Sequence, residues 1–425
     1  MKIVCALKDH PFSNSEESLG VVLYDGSTSE NLGSAGGAIK YQVLKDKWVP
    51  AARAWDFLSL GLAVAAADLA GHRGESADGW TRQFELEIAV SDPAFWNSQT
   101  DLVSQMLGFL TTDQWSVRFL DGGFHPAPGK ETVRPGEDGI VLLSGGLDSL
   151  VGAIDLAGVG KHPLAVSQIV RGDAENQRHF AVNIGGGLRH FQVNHNAQVP
   201  DPESPPSQRS RSLVFLGCGV LAATALKMYH AEQETPVFVC ENGFISINPP
   251  LTDSRLGSLS TRTTHPEFLG LVQKLMSKAS LRVKIENPYQ LKTKGEMLQG
   301  CHDQAKLQEN ASRSISCGRY RRFGNKHCGR CVPCLVRRAA FQKWGLPDKT
   351  EYLYADLGRD DEEHAAFDDV RCVAMGILQV RETGIRDWIG TALSTAILGD
   401  VTDLESMVCR GLDELDTLLK AHGVK

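Results

Sequence analysis

A six-residue glycine-rich segment is the part of this sequence best suited to holding a charged ligand. It follows an apolar run at residues 139–143, which predicts a buried parallel strand, and it precedes an apolar run at residues 150–156, which predicts a helix. Backbone N–H groups at a helix N-terminus point outward, and the helix dipole favours negative charge there. Two glycines let the main chain approach a phosphate closely. The segment therefore predicts an anion-binding loop formed by Ser144, Gly145, Gly146, Leu147, Asp148 and Ser149.

This loop contains no lysine, so it is not the GxxxxGK[ST] loop of the common ATPases. Its SGGLDS sequence resembles the PP-loop of enzymes that cleave ATP between the α- and β-phosphates and leave AMP on a substrate. The resemblance implies that Ser144, Gly145, Gly146, Leu147 and Ser149 cradle the leaving pyrophosphate. Three roles are open for Asp148: it binds Mg²⁺, it fixes the turn, or it is an ordinary carboxylate in the first turn of a helix.

Four of the ten cysteines lie close together, at Cys317, Cys328, Cys331 and Cys334. Two CxxC steps share the middle cysteine in a loop-rich segment, a spacing typical of four-thiolate Zn²⁺ sites. Four thiolates leave no open coordination position, so we expect the metal to be structural. An iron–sulfur cluster is the competing metal interpretation, and four unrelated buried cysteines are the alternative without a metal. The other six cysteines are predicted to be small buried apolar residues.

Basic residues flank the four cysteines on both sides. They fit either a solvated surface or a site for ATP phosphates or a substrate carboxylate, and the sequence favours neither. These residues are Arg319, Arg321, Arg322, Lys326, Arg330, Arg337 and Arg338.

The composition is that of a globular protein. The chain has 425 residues, 42% hydrophobic and 22% charged, and its length allows two or three domains. A net charge of −7 argues against a generally basic surface for nucleic acid. No apolar run approaches the roughly 18–20 residues needed to span a bilayer, and the N-terminus lacks the sections of a signal peptide. We therefore expect a cytoplasmic protein without membrane or nucleic-acid partners.

Three regions differ in their patterns. Residues 1–136 are predicted to form an α+β accessory domain ending in a Pro- and Gly-rich linker at residues 125–136. Residues 137–345 alternate strand and helix patterns, which predicts a doubly wound parallel sheet with its ligand site at the carboxyl ends of the strands. Residues 346–425 are predicted to form a helical extension. A Pro-rich loop at residues 200–207 is expected near the ligand site.

The predicted elements can be stated individually. In the first region the strands are Ile3–Leu7, Gly20–Tyr24, Phe84–Val90 and Ser116–Leu120, and the helices are Ala54–Ala70 and Leu102–Leu110. In the second region the strands are Ile140–Leu143, Leu164–Gln168, His190–Val193, Val237–Cys240 and Arg282–Ile285, with five helices between or after them. In the third region the helices are Asp361–Arg381, Gly384–Leu398 and Leu404–His422.

Residues 138–345 resemble the QueC family of 7-cyano-7-deazaguanine synthases, whose fold is that of the PP-loop ATP pyrophosphatases. Besides SGGLDS, the resemblance rests on short segments that occur in the family's order. These are Gln177-Arg178-His179 for the family's QRH, residues 211–216 for its RNxxFL, residues 265–268 for the end of its DCRPEF-like segment, residues 292–296 for its LTKAE, and Ser316-Cys317, CGRCVPC at 328–334 and Arg337 for its zinc signature.

The chain also departs from the family pattern. Housekeeping members are much shorter and lack counterparts of residues 1–136 and of the helical extension. Ser212 replaces the family's Asn, and residues 261–265 do not keep the usual residues before RPEF. Because these departures fall where the substrate is expected, the identities of substrate and acceptor stay open. The long form resembles the QueC-like proteins of bacterial antiphage defence operons, of the Qat and type IV CBASS kinds.

The resemblance implies an ATP-dependent, AMP-forming ligase that uses Mg²⁺ and holds a structural Zn²⁺. Such an enzyme adenylates the carboxylate of 7-carboxy-7-deazaguanine, ammonia then gives an amide, and a second ATP gives the nitrile. Arg178 and Arg211 are candidate contacts to phosphate or carboxylate, with surface salt bridges as the alternative. His179 is a candidate proton shuttle, with a structural histidine as the alternative. The family also implies a homodimer.

Three other functions fit the same motifs. The activated carboxylate could pass to an amine on a partner protein from a defence operon, with residues 1–136 as the docking surface. The loop could hold a nucleotide without turnover, as a sensor does. A PP-loop thiolase acting on tRNA is a third alternative, which the acidic net charge and the lack of an RNA-binding module disfavour.

Overall fold

Two parallel five-stranded β-sheets form the frame of the described part of the protein. In this computed structural model the described residues are 1–12, 18–27, 29–169, 172–204, 209–252, 262–358, 368–393, 398 and 400–424. Residues 205–207 of the Pro-rich loop, Thr261 and residues 361–367 of the first predicted C-terminal helix lie outside these residues, as do residues 394–397 of the second.

The first sheet is built from the N-terminal region and is parallel throughout. Its strands pair in the order β3-β2-β1-β4-β5. The expectation of an α+β domain for residues 1–136 is therefore wrong. Apolar runs indicate where strands lie, but they do not show whether neighbouring strands are parallel or antiparallel. The elements are β1 Lys2–Ala6, β2 Ser18–Leu23, β3 Gly33–Ala35, α1 Gly37–Lys45, α2 Ala52–Ala70, β4 Gln83–Val90, α3 Pro93–Asn97, α4 Thr100–Thr111 and β5 Gln114–Asp121.

The second sheet has the predicted doubly wound arrangement, in the order β10-β9-β6-β7-β8. Its strands are β6 Ile140–Leu142, β7 Leu164–Gln168, β8 His190–Val193, β9 Thr235–Phe238 and β10 Val283–Glu286. Its helices are α5 Leu147–Gly158, α6 Ala174–Asn183, α7 Arg211–Ala225, α8 Lys227–His230, α9 Gly243–Ile247, α10 Pro266–Lys278, α11 Lys294–Gln299, α12 Gln304–Asn310 and α13 Val332–Trp344. The α/β fold class is confirmed for this region.

Both sheets share one strand order: the third, second, first, fourth and fifth strands of each lie side by side. In both, a long helix follows the third strand, and these two helices, α2 and α7, pack against each other. A Cβ on Gly61 would lie 3.2 Å from the Leu213 carbonyl oxygen, and one on Gly217 would lie 3.1 Å from Leu58 Cδ1. The glycines thus allow close helix contact, and the buried side chains of both sheets form one continuous core. The domain boundaries at 136 and 345 stay predictions.

The C-terminal region is helical, as predicted. Its helices are α14 Asp369–Thr383, α15 Ile385–Leu393 and α16 Thr402–Ala421. They share an apolar cluster with α9 and α13 that includes Phe244, Leu335 and Val408. A Cβ on Gly411 would lie 2.2 Å from the Phe244 ring, so α16 rests directly on α9. No helix in the described ranges is long and apolar enough to cross a membrane.

Candidate functional site

The glycine-rich loop connects β6 to α5, as the sequence predicts. Gly145 has φ +90°, a conformation that side chains with a Cβ rarely adopt, so glycine is required there. The Gly146 N–H donates to Ser144 Oγ at 3.3 Å, and Ser149 Oγ donates to the Gly146 carbonyl at 3.0 Å. These bonds close the turn, and α5 begins at Leu147, so the turn leads into the kind of helix N-terminus whose free N–H groups bind anions.

Two groups from distant segments hold the loop from outside. The Ile315 N–H donates to the Gly145 carbonyl at 3.1 Å. The side chain of Gln177, which is fully buried, donates from Nε2 to the carbonyls of Ser144 and Gln168, each at 3.1 Å. The glutamine of the QRH segment thus positions the loop and the end of β7 together.

Asp148 points away from the turn into a buried polar network. Its Oδ1 forms an ion pair with Lys294 Nζ, and both side chains are buried. Its Oδ2 accepts from Asn242 Nδ2 at 2.7 Å and from the Asn242 N–H at 3.2 Å. Burial alone would raise the pKa of Asp148, but the Lys294 charge and the hydrogen bonds lower that pKa to about 2. Asp148 is therefore an ionised carboxylate with both oxygens engaged.

A cavity of about 280 Å³ opens beside the loop, at the carboxyl ends of β6, β7 and β9. This is the edge where doubly wound sheets bind ligands. Its polar lining consists of Ser144, Ser149, Gln168, Arg211, Ser212, Glu241, Thr263 and Thr264. A larger cavity of about 710 Å³ lies at the amino ends of the first sheet's strands, next to Met1, Gln83 and Gln114. We assign the site to the smaller cavity because it adjoins the glycine loop.

Arg211 is the predicted site cation that the structure brings to the cavity. It is the first residue of α7 and interacts electrostatically with Asp173 and Arg321, and a Cβ on Gly145 would lie 3.6 Å from the Asp173 side chain. Burial raises the pKa of Asp173 to about 6, and the charges of Arg211 and Arg321 oppose that rise. A positive region with one weakly acidic carboxyl thus faces the anion-binding loop.

Gln168 offers the cavity a polar atom without a partner. Its Nε2 lies 2.8 Å from Nδ1 of His195, while its buried Oε1 has no hydrogen-bond partner among the described residues. Burial and the Arg211 charge lower the pKa of His195 to about 4, so its ring is neutral at pH 7 and accepts this bond. An unsatisfied buried acceptor costs free energy.

Arg178 and His179 do not reach the cavity. Arg178 is exposed and contacts Gln192 Oε1 at 3.3 Å. His179 Nε2 lies 2.9 Å from Asn310 Oδ1, on the side of α6 that faces α12. Their proposed roles in phosphate binding and proton transfer stay predictions, and in this structure both side chains contact polar groups outside the cavity.

The four predicted cysteines come together in one buried cluster. Their Sγ atoms lie within 4.8 Å of one another, with 3.8 Å between Cys317 and Cys331 and 3.9 Å between Cys328 and Cys334. A tetrahedron of thiolates about 2.3 Å from Zn²⁺ requires sulfur–sulfur distances of roughly 3.8 Å. The N–H groups of Arg319 and Cys328 each point at Cys317 Sγ at 3.4 Å. The donor set therefore fits a structural zinc ion.

A buried arginine connects this cluster to the glycine loop. Arg337 is fully buried, and its Nη1 donates to the Ser314 carbonyl at 3.1 Å and to Ser316 Oγ at 3.1 Å. Its Nη2 donates to the Ala311 carbonyl at 2.8 Å. Ile315, which holds Gly145, lies in the segment thus fixed between Arg337 and Cys317. The segment that contains the four cysteines, residues 317–334, which we call the zinc loop, therefore supports the glycine loop.

The other basic residues near the cysteines were expected to form either a solvated surface or a site for phosphate or carboxylate. Arg330 donates to the Asp356 carbonyl, and Arg338 donates to the carbonyls of Gly329 and Ala355. Arg319 pairs with Asp369 at 3.0 Å. These three brace loops. Arg321 is exposed and interacts electrostatically with Asp173, a neighbour of the glycine loop.

Sequence reasoning missed Lys294, Gln168 and Gln177 as site residues. Lys294 and Gln177 lie in the quoted KTKGE and QRH segments, but nothing local shows that one pairs with Asp148 and the other holds Ser144. Gln168 carried a usable signal, since it is a polar residue at the carboxyl end of a buried strand.

Fold and site together define a class: a doubly wound α/β protein with a glycine-rich anion-binding loop supported by a four-cysteine metal cluster. Comparison with known proteins agrees. A family model described as "Queuosine biosynthesis protein QueC" matches residues 263–345. The 7-cyano-7-deazaguanine synthase of Rhizobium johnstonii is 28% identical over 245 residues, covering 51% of this chain and 93% of that protein.

Two further relatives carry the same name. The 7-cyano-7-deazaguanine synthase of Rhizobium leguminosarum bv. trifolii is 27% identical over 245 residues, covering 51% of this chain and 93% of that protein. That of Methanocaldococcus jannaschii is 37% identical over 90 residues, covering 20% of this chain and 39% of that protein. The part of the chain that carries the site is therefore QueC-like, and the family resemblance is confirmed.

Replacing one cluster cysteine should remove the metal and loosen the glycine loop. We expect the purified protein to contain one zinc per chain and Cys331→Ser to contain much less, with a stability loss of several kcal/mol. Elemental analysis and urea unfolding measure both. Cys218→Ser, at a buried cysteine outside the cluster, should retain the zinc. Full zinc content in Cys331→Ser would contradict the assignment.

Replacing only one member of the Asp148–Lys294 pair should strongly lower the free energy of unfolding. Lys294→Met leaves a buried unpaired carboxylate, so we expect a loss of about 3–5 kcal/mol at pH 7. Because burial then dominates, the pKa of Asp148 rises, and the loss should shrink as pH falls from 7 to 5 and the carboxyl is protonated. In the unmodified protein, by contrast, the lowered pKa makes this group's stabilisation disappear only on acidification below its ordinary pKa of about 3.8.

Urea unfolding at pH 7 and pH 5 measures this effect. The double variant Asp148→Asn/Lys294→Met should recover most of the lost stability, since neither member is then charged. Lys284→Met is the control, because Lys284 pairs with Glu286 at the surface and should change stability by less than about 1 kcal/mol. A Lys294→Met penalty as small as that control would contradict the buried-pair account.

Proposed function

We propose that this protein is an ATP-dependent ligase that adenylates the carboxylate of 7-carboxy-7-deazaguanine for attack by an amine. The observation that carries the proposal is the glycine loop, whose residues Ser144 and Ser149 line a cavity that also contains Arg211 and Gln168. The names of the QueC-like relatives support the substrate class. ATP is used in the cytoplasm, and we place the protein there.

The proposed reaction begins with two displacement steps, an in-line attack at phosphorus and then an addition–elimination at the acyl carbon. A substrate carboxylate oxygen attacks the α-phosphorus of ATP, and pyrophosphate leaves into the cradle of Ser144, Gly145, Gly146, Leu147 and Ser149. An amine then attacks the acyl carbon, AMP leaves, and the amine loses a proton to give the amide. A second adenylation, on the amide oxygen, followed by loss of AMP and protons gives the nitrile. Positioning and charge stabilisation are the protein's main contributions.

The charged residues of the cavity and of the buried network behind the glycine loop have roles that follow from their contacts. Arg211 offers a guanidinium to a phosphate or to the substrate carboxylate. Lys294 holds Asp148 ionised and so fixes the first turn of α5, where the pyrophosphate would bind. Both Asp148 oxygens already accept hydrogen bonds, so this geometry favours turn fixation over direct binding of Mg²⁺. Mg²⁺ would accompany ATP, and no step above depends on a protein ligand for it.

A second acceptor is favoured by one specific observation. Ser212, Thr263 and Thr264 line the cavity, and they lie where the sequence departs from the family pattern. A changed acceptor pocket fits transfer of the activated deazaguanine to an amine on a partner protein, which the resemblance to antiphage defence proteins also suggests. The homodimer and the defence setting belong to this proposal as predictions.

AMP release tests the adenylation step. With ATP, Mg²⁺ and 7-carboxy-7-deazaguanine, we expect AMP and pyrophosphate in equal amounts, and at least tenfold less AMP without the deazapurine acid. Chromatography of nucleotides measures both. A folded, zinc-loaded protein whose AMP formation the acid does not stimulate would refute the substrate assignment, and tight ATP binding without AMP would favour the sensor alternative.

Mass spectrometry of the same mixtures separates the two acceptors. Free nitrile after addition of ammonium favours the synthase. A mass increase of deazaguanine size on a co-expressed operon partner favours conjugation, and phage plating on cells carrying the operon then tests the defence setting.

The unpartnered acceptor of Gln168 generates a further prediction. Gln168→Leu keeps the approximate size but removes the oxygen that would accept from a ligand N–H, so we expect KM for ATP or for the deazapurine acid to rise about tenfold. Steady-state kinetics with each substrate varied in turn identifies which ligand makes the bond. Gln273→Leu, at a half-buried glutamine of α10 that contacts the backbone of β10, is the control. Unchanged KM values for both ligands would remove Gln168 from the binding site.

A further inference from the structure

The N-terminal region and the C-terminal region each send one buried carboxylate to the start of a helix that carries a site cation. Asp68, near the end of α2, reaches the start of α7, whose first residue is Arg211. Glu414, in α16, reaches the start of α11, whose first residue is Lys294. The two carboxylates come from opposite ends of the sequence, and both cations belong to the glycine-loop site.

The Asp68 contact is direct and buried. Asp68 Oδ2 accepts from Ser210 Oγ at 2.7 Å and from the Ser210 N–H at 3.3 Å. Its Oδ1 accepts from Arg82 Nη2 at 2.6 Å, and Arg82 also binds Asp113 at 2.7 Å. Ser210 immediately precedes Arg211. A carboxylate at this position complements the helix dipole and fixes the backbone from which the Arg211 side chain extends.

The Glu414 contact is equally specific. Glu414 Oε1 accepts from Thr293 Oγ1, and its Oε2 accepts from the Gly295 N–H at 3.3 Å. Lys294 lies between these two residues. A Cβ on Gly295 would lie 2.7 Å from Glu414 Oε1, so the glycine provides the space into which the carboxylate fits. Thr293 and Glu296 also form a capping box, which makes this turn rigid.

Ordinary packing does not account for the placement of these groups. Other buried or partly buried carboxylates of the same helices bind within their own region: Asp56 of α2 accepts from Ser91 and Trp96, and Asp416 of α16 pairs with Arg381 and Lys420. Asp68 and Glu414 instead bind across to the QueC-like region, next to a site cation in each case. Burying a carboxylate is costly unless its partners are fixed, so each contact holds a defined geometry.

We propose that both accessory regions are positioning elements of the anion-binding site, with Asp68 acting through Arg211 and Glu414 acting through Lys294. The inference rests on the proposed function for the reaction that the site performs, but the positioning itself concerns nucleotide binding and can be measured without turnover. Neither carboxylate touches the ligand in this account.

The Asp68 arm is tested with Ser210→Ala, which removes one hydrogen bond and leaves the Asp68–Arg82–Asp113 cluster intact. We expect the Kd for ATP, measured by calorimetry, and the KM for ATP to rise together, roughly three- to tenfold, with little change in kcat. Asp68→Ala should give a larger rise. Asp56→Asn is the matched control: it should lower the melting temperature and leave the Kd for ATP unchanged.

A double-variant cycle separates positioning from general destabilisation. If Asp68 acts through Arg211, Ser210→Ala added to Arg211→Met should raise the Kd for ATP no further. If the two effects multiply, or if Asp56→Asn raises the Kd as much as Ser210→Ala does, Asp68 has a structural role only and the proposal fails for this arm.

The Glu414 arm is tested with Gly295→Ala, which keeps both Lys294 and Glu414 but places a methyl group where the carboxylate sits. We expect a rise in the Kd for ATP of roughly tenfold, with the zinc content unchanged, and a similar rise for Glu414→Ala. The double variant should be no worse than either single one, because one contact is lost in each. Asp416→Asn is the control on the same helix and should bind ATP normally.

These outcomes are distinguishable from failure of the proposed function. If the unmodified protein binds ATP but forms no AMP, the ligase proposal is refuted, and the ATP-binding measurements on the variants can still be interpreted. Normal ATP binding by both Ser210→Ala and Gly295→Ala would refute the positioning proposal, whatever the activity.

Discussion

A buried ion pair between Asp148 and Lys294 is the interaction on which the site depends. Two charges removed from water are stable only when their geometry is fixed and their remaining hydrogen-bonding groups are satisfied. Asn242 satisfies the second Asp148 oxygen, and the capping box at Thr293 fixes the turn that carries Lys294. The pair thus ties the first turn of α5, directly behind the glycine loop, to a helix more than one hundred residues further along the chain.

The zinc loop supplies a second constraint that apolar packing could not. Residues 314–331 contain little regular structure, and a loop of this kind loses much conformational entropy on ordering. Four thiolates around one metal ion would offset that cost, and Arg337 binds Ser314 and Ser316 on either side of Ile315, whose N–H binds the Gly145 carbonyl. The glycine loop and the cysteine cluster are therefore one structural unit, and a closed metal site would act here as a support beside the cavity.

The sequence predicted the features that depend on local residues. The strand, glycine loop and α5 follow from adjacent apolar runs and two glycines, and the metal cluster follows from cysteine spacing. It could not show that Lys294 pairs with Asp148, because nothing in either segment encodes the other's position. Arg178 and His179 illustrate the opposite problem: their neighbour Gln177 faces the loop, while they lie on other faces of α6. The prediction of an α+β fold for the N-terminal region was wrong for a related reason. The relative direction of neighbouring strands depends on the connections between them, and apolar runs carry no information about it.

The shared strand order of the two sheets explains how an N-terminal domain comes to support this site. Because α2 and α7 are the corresponding helices of the two sheets and pack at Gly61 and Gly217, the end of α2 lies beside the start of α7. The glycine-rich sequence is not repeated at the corresponding place of the first sheet: residues 7–17, which follow its first strand as the glycine loop follows β6, contain no glycine. The N-terminal region thus has the same strand order and long helix as the second sheet but no glycine-rich loop after its first strand. Because its helix α2 packs against α7, it is suited to fixing the backbone at Arg211.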